Sequence, residues 1–213
     1  MNKILMSAAA SVAALAICGS ANAAINITNV DTDTVPAGFN VVANFNTPVA
    51  PGYSLSDNFG ALSNSLFPGG SGGAAAPPGD SSTFVALQTV QSLTLSSVAG
   101  FSSFSFYMGS PDGYNEVDVD GQNFVGAALM GIPSQQATGN QADGYTVTYD
   151  LGTLVHDVTF KSSGVAFEFD NIAVSAAPEP AEWALMVLGI GGLGLMLRAG
   201  RRAGQMNASS VAA

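Results

Sequence analysis

Three acidic residues alternate with valines near the middle of the chain. Glu116, Asp118 and Asp120 are separated by single residues, and Gly121 follows them. In a β-strand this spacing places all three carboxylates on one face. The same spacing imitates acidic positions of a calcium-binding loop, although Ala127 stands where that loop needs a bidentate glutamate. Two interpretations stay open: a strand with a solvated acidic face, or a Ca²⁺ site at these three residues. No other cofactor is expected.

Catalytic chemistry has few candidates in this sequence. His156 is the only histidine, and no serine lies in the Gly-x-Ser-x-Gly turn on which many hydrolases carry their nucleophile. The only cysteine, Cys18, lies in a segment that we expect to be removed. Paired carboxylates could serve a glycosidase, but a chain this acidic brings some pair together by chance. The sequence therefore favours a non-enzymatic protein, with a polysaccharide-modifying enzyme as the less favoured alternative.

A segment rich in tyrosine lies just before the acidic strand. It carries Tyr107, Asp112, Tyr114 and Asn115, whose rings could stack on sugars and whose polar groups could bond sugar hydroxyls. The alternative function is therefore a carbohydrate-binding module, assisted by Ca²⁺ if the acidic strand binds it. Against this, a β domain rich in Phe and Tyr places most of its rings in the core.

The elements that must position these residues have the pattern of short β-strands. Runs of Val, Phe, Thr and Tyr are broken by Gly, Asn, Asp and Pro about every 8–12 residues, which is typical of a sandwich or barrel. Asp120 and Gly121 predict a two-residue hairpin, because a type I′ turn needs positive φ at both positions. We expect an all-β fold: a single β-sandwich, jelly-roll or lectin-like, over residues 24–177 (the ectodomain). Strands are predicted at residues 25–30, 39–45, 84–95 in two pieces, 101–108, 115–119, 124–130, 145–150, 157–161 and 165–174.

The composition of this domain predicts one of its loops and excludes one class of partner. Residues 68–80 are rich in glycine, alanine and proline, which predicts a flexible loop inside one domain. The ectodomain also carries thirteen acidic residues against one strong base, Lys161. Phosphate backbones would repel such a surface, so we expect no nucleic acid partner.

The N-terminal residues are typical of a secretory signal peptide. A single lysine precedes an apolar run, and Ala21 and Ala23 supply the small-x-small pattern of a cleavage site before Ala24. The apolar run is too short to span a hydrocarbon core of ~30 Å comfortably, which favours cleavage over anchoring. Residues 1–23 are thus predicted to form a signal helix that is read by the Sec machinery and cut by signal peptidase.

The C-terminal residues have a different targeting pattern. Pro178, Glu179 and Pro180 precede an apolar segment at about residues 181–197. Two prolines so close together favour an extended spacer. Trp183 at one end suits the headgroup region, and the arginines at the other end suit the cytoplasmic side, which predicts a transmembrane helix with its N-terminus outside. The arginines are Arg198, Arg201 and Arg202.

This tail resembles the PEP-CTERM sorting domain, also called the ice-binding-protein C-terminal domain, of Gram-negative bacteria. The matching residues are the Pro178–Glu179–Pro180 motif, the Trp183 segment, a glycine-rich apolar helix and the Arg201–Arg202 pair. The resemblance implies an exosortase as partner, which recognises residues 178–202 and releases or transfers the ectodomain. It also implies an association with exopolysaccharide or biofilm. One departure is that residues 203–213, a short cytoplasmic tail, follow the arginines.

These patterns together predict an exported protein. It would cross the inner membrane, stay anchored there transiently by its C-terminal helix, and then reach the cell surface or the extracellular matrix.

Overall fold

The chain folds as an all-β protein, which confirms the predicted fold class at that level. A computed structural model describes residues 23–69, 74–131, 137–175 and 187–190. Two short 3₁₀ helices, Leu62–Ser65 and Gly126–Met130, accompany ten strands. The strands are β1 (Ala24–Val30), β2 (Asn40–Ala43), β3 (Tyr53–Asp57), β4 (Leu66–Pro68), β5 (Thr83–Leu87), β6 (Ser92–Gly109), β7 (Asn115–Val119), β8 (Gln122–Val125), β9 (Gly144–Ser162) and β10 (Phe167–Ser175).

All ten strands belong to one curled antiparallel sheet. Its main path runs β4–β5–β10–β6–β9–β7–β8, while β1 pairs with β9, β2 with β10 and β3 with β6. Strand β10 therefore has three neighbours. Seven of its nine residues are buried, and only Asn171 and Ser175 are partly exposed. A strand buried on both faces is expected to be largely apolar, so the acidic residues of β10 need local partners.

Strands β6 and β9 form a long ribbon that bends sharply near its middle. Both strands have a glycine at the bend, with φ of 79° at Gly100 and 63° at Gly152. The pairing register shifts on either side of Phe101, as expected for β-bulges. Glycine is required at Gly100 because its φ is positive and an added Cβ would lie 2.8 Å from Leu154 Cγ.

The bend brings distant parts of the ribbon into contact through aromatic rings. Phe106 on β6 pairs with Val147 on β9, yet its ring centroid lies 5.0 Å from that of Phe160, thirteen positions further along the same strand. The Phe160 ring also stacks on Phe169 of β10 at 4.6 Å. These rings are fully buried and sit at the centre of the main core.

The hairpin predicted at Asp120 and Gly121 is confirmed. Val119 pairs with Gln122 across it, and the two turn residues have φ of 50° and 78°. Both values are positive, as a type I′ turn requires.

The prediction of a flexible loop at residues 68–80 is wrong for its second half. From Ala74 onward the segment packs onto the sheet, where Ala74 and Pro77 are buried. The Tyr107 hydroxyl donates a hydrogen bond to the Pro78 carbonyl, and an added Cβ at Gly109 would lie 2.7 Å from Pro77 Cα. The composition indicated mobility, but the absence of bulky side chains instead allows close packing over the sheet.

The predicted targeting segments fall mostly outside the described residues. Of the signal cleavage site, Ala23 and Ala24 are described, and Ala24 is the first residue of β1. In the apolar tail, residues 187–190 are helical and their apolar side chains are exposed. No helix within the described residues is long and apolar enough to cross a membrane. The residues that lie outside are Ala21, Pro178, Glu179, Pro180, Trp183, Arg198, Arg201 and Arg202.

Candidate functional site

Three carboxylates converge where β10 meets two loops. Asp33 follows β1, Asp80 precedes β5 and Asp170 lies within β10. One oxygen of each lies within 4.8 Å of the others, and among the described residues this is the one group of at least three His, Cys, Asp or Glu side chains with such spacing. Oxygen donors of this type are those preferred by Ca²⁺ and Mg²⁺, so these residues could hold a hard cation.

Hydrogen bonds from small polar side chains fix the geometry of the three carboxylates. Ser82 donates from its hydroxyl to Asp170 Oδ2 at 2.7 Å and from its backbone N–H to Asp80 Oδ1 at 2.7 Å. Asn171 donates from Nδ2 to Asp33 Oδ2 at 2.5 Å and from its backbone N–H to Asp170 Oδ1 at 2.7 Å. Ser82 and Asn171 therefore each bridge two of the three acids.

The cluster is electrostatically unfavourable when all three groups are ionised. Burial raises the pKa of Asp170 to about 7, and the Asp80 and Asp33 carboxylates add to this, whereas the Ser82 and Asn171 hydrogen bonds oppose it. Burial also raises the pKa of Asp33. The Oδ2 oxygen of Asp80 is shielded from solvent and has no hydrogen-bond partner. A proton or a cation bound here would relieve the repulsion.

A groove of about 520 Å³ opens beside the cluster. Its lining is almost entirely oxygen- and amide-bearing, without an aromatic side chain. Such a lining can bond hydroxyl groups or a hydrated ion, but it offers no stacking surface. Besides Asp33, Asp80 and Asn171, it includes Asp31, Thr32, Thr34, Asn44, Asn46 and Ser82.

A second buried acid lies on the same face of β10 two residues before Asp170. Glu168 is 5% exposed, and its Oε2 has no hydrogen-bond partner. Burial raises the pKa of Glu168 to about 8, and the Asp112 carboxylate adds to the shift. Glu168 thus prefers to be protonated in the folded protein at neutral pH, where Asp170 is near the midpoint of its titration.

These raised pKa values predict that the protein loses stability as the pH rises. Below pH 4.5, the ordinary pKa of a glutamate, Glu168 is protonated in both states and its contribution is fully present. Between that pH and about 8 the unfolded state ionises first, so stability falls. Asp170 acts in the same direction between 3.8 and about 7. We expect a higher Tm at about pH 5 than at about pH 8.

The variant Glu168→Gln isolates this effect, because glutamine keeps the shape and does not titrate. We expect its Tm to depend less on pH than that of the parent chain. Asp150→Asn, at an exposed carboxylate, is the matched control and should leave the dependence unchanged. Equal pH dependence in Glu168→Gln and the parent would contradict the assignment.

The acidic strand that was considered for Ca²⁺ is paired with a strand that supplies a lysine. Glu116 and Asp118 lie on one face of β7, as predicted, and Lys161 Nζ lies 2.9 Å from Glu116 Oε1 and 3.0 Å from Asp118 Oδ2. Asp120 lies in the exposed hairpin turn. The Lys161 ammonium therefore supplies the positive charge that the calcium interpretation assigned to a bound ion, and the Ca²⁺ site at these residues stays a prediction.

Replacing Lys161 by methionine leaves Glu116 and Asp118 facing each other. All three side chains are partly exposed, so we expect a loss of no more than about 1 kcal/mol at low salt. The difference from the parent should shrink near 1 M salt, where the screening length is about 3 Å. Chemical denaturation at both salt concentrations measures it, and a loss that salt does not change would contradict the electrostatic explanation.

Two of the four predicted glycan contacts are wrong. Tyr107 is 1% exposed with its hydroxyl bonded to Pro78, and Asn115 is fully buried, so neither can contact a ligand. Asn115 lies on the buried side of β7 with Val117 and Val119, whereas Tyr107 lies on the face of β6 opposite Phe106 and is covered by the segment that contains Pro78. Asp112 and Tyr114 are partly exposed, and the Tyr114 hydroxyl donates to the Val165 carbonyl at 2.5 Å.

His156 is not part of a Ser–His–Asp arrangement. Its Nδ1 lies 2.9 Å from the Ser97 carbonyl, while the Ser96 hydroxyl donates to Asp157 Oδ1 at 2.6 Å. No hydroxyl is hydrogen-bonded to the imidazole among the side-chain contacts of the described residues, in keeping with its assignment as a surface residue.

Sequence reasoning missed the carboxylates that do converge. Asp33, Asp80 and Asp170 are far apart in the chain, so no local spacing joins them. One signal was available: Asp170 lies between the apolar residues Phe169 and Ile172 of a strand, and a carboxylate at such a position needs a partner.

No protein-family model matches the chain. No curated protein matches it either.

Proposed function

We propose that this chain is an exported, exosortase-sorted protein of the cell surface or extracellular matrix. The observation that carries the proposal is where the folded strands begin and end. Strand β1 starts at Ala24, the residue after the predicted signal cleavage site, and β10 ends at Ser175, three residues before Pro178. The described sheet thus fits between two segments with targeting patterns.

We infer that the curled sheet packs as a two-layer sandwich of the jelly-roll or lectin-like kind. The contact between Phe160 and Phe106 supports this, because the two rings belong to opposite halves of the bent β6–β9 ribbon. Facing halves that share one aromatic core are the arrangement of a β-sandwich.

The proposed role is non-enzymatic and associated with exopolysaccharide or biofilm. The resemblance of residues 178–202 to the PEP-CTERM domain supports the association. The Ser96 hydroxyl bonds Asp157, while His156 bonds the Ser97 carbonyl, which supports a non-catalytic role because a serine nucleophile needs an adjacent base. The Sec machinery, signal peptidase and exosortase are the expected partners.

The test is fractionation of the natural host with intact-mass analysis of the protein. We expect a species that starts at Ala24 in the envelope or the medium and lacks the C-terminal residues. Replacing Pro178 and Pro180 by alanine should make the uncut form accumulate in the inner membrane, whereas Pro36→Ala, within the domain, should not. A stable full-length cytoplasmic form would overturn the proposal.

A second candidate function is a carbohydrate-binding module assisted by Ca²⁺. The specific observation that favours it is the groove beside Asp33, Asp80 and Asp170, where the buried Asp80 Oδ2 has no partner. The candidate binding surface is then this groove, which Tyr107 adjoins through its pairing with Asp170 without lining it. Lectins often hold sugar hydroxyls through carboxylates and amides around a cation, and the groove offers both groups.

A glycan array with and without a chelator tests this second function. We expect binding that depends on Ca²⁺ and is weakened in Asp80→Asn, but kept in Asp118→Asn, which alters the rival acidic strand. Binding that is lost only in Asp118→Asn would move the site to β7, and no binding in either condition would count against the function.

A further inference from the structure

The two ends of the folded domain lie in one row across the sheet. Ala24 pairs with Asp150 on β9, Asp150 pairs with Ser103 on β6, and Ser103 pairs with Ser175 on β10. Neighbouring strands are about 4.8 Å apart, so three steps separate Ala24 from Ser175 by only ~14 Å. The chain therefore enters and leaves the domain at the same pole.

The chain has little length between this pole and the predicted membrane helix. Only residues 176–180 separate Ser175 from the expected start of that helix at residue 181. Five extended residues reach at most ~18 Å. While the tail holds the protein, the pole with Ser175 must stay close to the bilayer surface.

The same pole carries exposed apolar side chains at the ribbon bend. Val98 is 87% exposed and Leu154 is 50% exposed. Both lie next to Gly100. A Cβ added at Gly100 would contact Leu154, and Val98 lies two residues before Gly100 in the chain. Asp150 and Asp157 are exposed nearby, so an anionic lipid surface would repel this pole and a neutral one would not.

The acidic groove lies at the opposite end of the sheet. Asp31 exchanges two 2.8 Å hydrogen bonds with Gly144, at the start of β9. Gly144 precedes Asp150 by six strand positions, which corresponds to ~20 Å along the strand. The side of the groove at Asp31 therefore lies ~20 Å along the sheet from the chain ends.

We propose that the ribbon bend with Val98 and Leu154 rests on a neutral lipid surface, which turns the acidic groove away from the membrane. The proposal rests on the proposed function, because it requires anchoring by the tail. It goes further in assigning one face of the domain to the bilayer and the opposite face to the exterior.

Single-cysteine labelling of the full chain in phosphatidylcholine vesicles tests the orientation. Cys18→Ser removes the only thiol, and one cysteine is then introduced as Val98→Cys or Leu154→Cys at the bend, or as Ser81→Cys, an exposed position beside the groove. Each thiol is labelled with an environment-sensitive fluorophore and quenched with spin-labelled lipid. We expect at least about twofold stronger quenching at 98 and 154 than at 81, since ~20 Å separates the two ends.

Three outcomes would overturn the proposal, and they are distinguishable. Equal quenching at 81 and 154, or stronger quenching at 81, would contradict the orientation alone. Shielding of 154 in the absence of vesicles would show that a second copy covers the bend. If the chain does not float with the vesicles, the proposed anchoring fails and the orientation fails with it.

Discussion

Replacing Phe160 by alanine is expected to lower the free energy of unfolding by about 3–5 kcal/mol. Phe160 is fully buried, and its ring stacks on Phe169 at 4.6 Å and meets Phe106 edge-on at 5.0 Å. Truncation removes apolar contact and leaves a cavity between the two halves of the bent ribbon. Such a loss is a large part of the stability of an ordinary domain, so urea denaturation should show a much lower midpoint.

The matched control for Phe160 is Leu154→Ala. Leu154 lies on the same strand but is half exposed, so its truncation should cost less than about 1 kcal/mol. If Phe160→Ala and Leu154→Ala destabilise the chain equally, the ribbon does not fold over onto a shared aromatic core. Phe160→Leu, which keeps most of the apolar volume, should recover much of the loss.

Replacing Gly100 by valine is the second large effect that we expect, with a loss of roughly 3 kcal/mol or more. The φ of 79° is strained for any residue with a Cβ, and a β-branched side chain suits it least. The added Cβ would also lie 2.9 Å from the Val155 carbonyl oxygen and 2.8 Å from Leu154 Cγ. Backbone cannot yield as easily as a flexible side chain, so the bend itself must open.

Gly113 provides the control for this substitution. Its φ is not in the left-handed region, and an added Cβ would meet nothing within 4 Å. Gly113→Val should therefore change the Tm by only a few degrees, which corresponds to a ΔΔG below about 1 kcal/mol. A Gly100→Val variant as stable as Gly113→Val would show that β6 does not need the bend at this position.

Local patterns predicted the elements whose geometry is set by neighbouring residues. The β7–β8 hairpin followed from Asp120 and Gly121 because the turn type depends on the φ of those two residues alone. The bounds of β7 at Asn115 and Val119 followed from the alternation of valine with acids. The interpretation of that alternation as a solvated face was incomplete, since Lys161 comes from a strand more than forty residues away.

The sequence did not predict that β6 and β9 are long. Glycines near their centres looked like turn residues, so each strand was divided in two, at Gly100 and at Gly152. A bulge and a strand break both place glycine between apolar runs, and only the pairing partner distinguishes them. Strands β3 and β4 were missed because Tyr53–Asp57 and Leu66–Pro68 are short and are held in place by β6 and β5.

The carboxylate cluster could not be predicted from local sequence patterns, because its three members come from distant parts of the chain. Asp33, Asp80 and Asp170 are brought together by the positions of two loops on β10, and no spacing in the sequence encodes that juxtaposition. The loop at residues 74–80 was expected to be flexible, so its Asp80 was not considered as a partner for β10. The small residues of this loop indicated freedom of the backbone, but they gave no information about the part of the sheet on which the loop packs.

The central place of β10 has a consequence for when this protein can fold. It is the last strand in the chain, yet it pairs with β2, β5 and β6 and carries Phe167 and Phe169 into the core. Until Ser175 has been synthesised and has reached the same compartment as the rest, the other strands lack their central partner. Pairings over such long separations form slowly. The polypeptide should therefore remain unfolded throughout its synthesis, which is the condition in which a chain can be threaded through a narrow translocation channel.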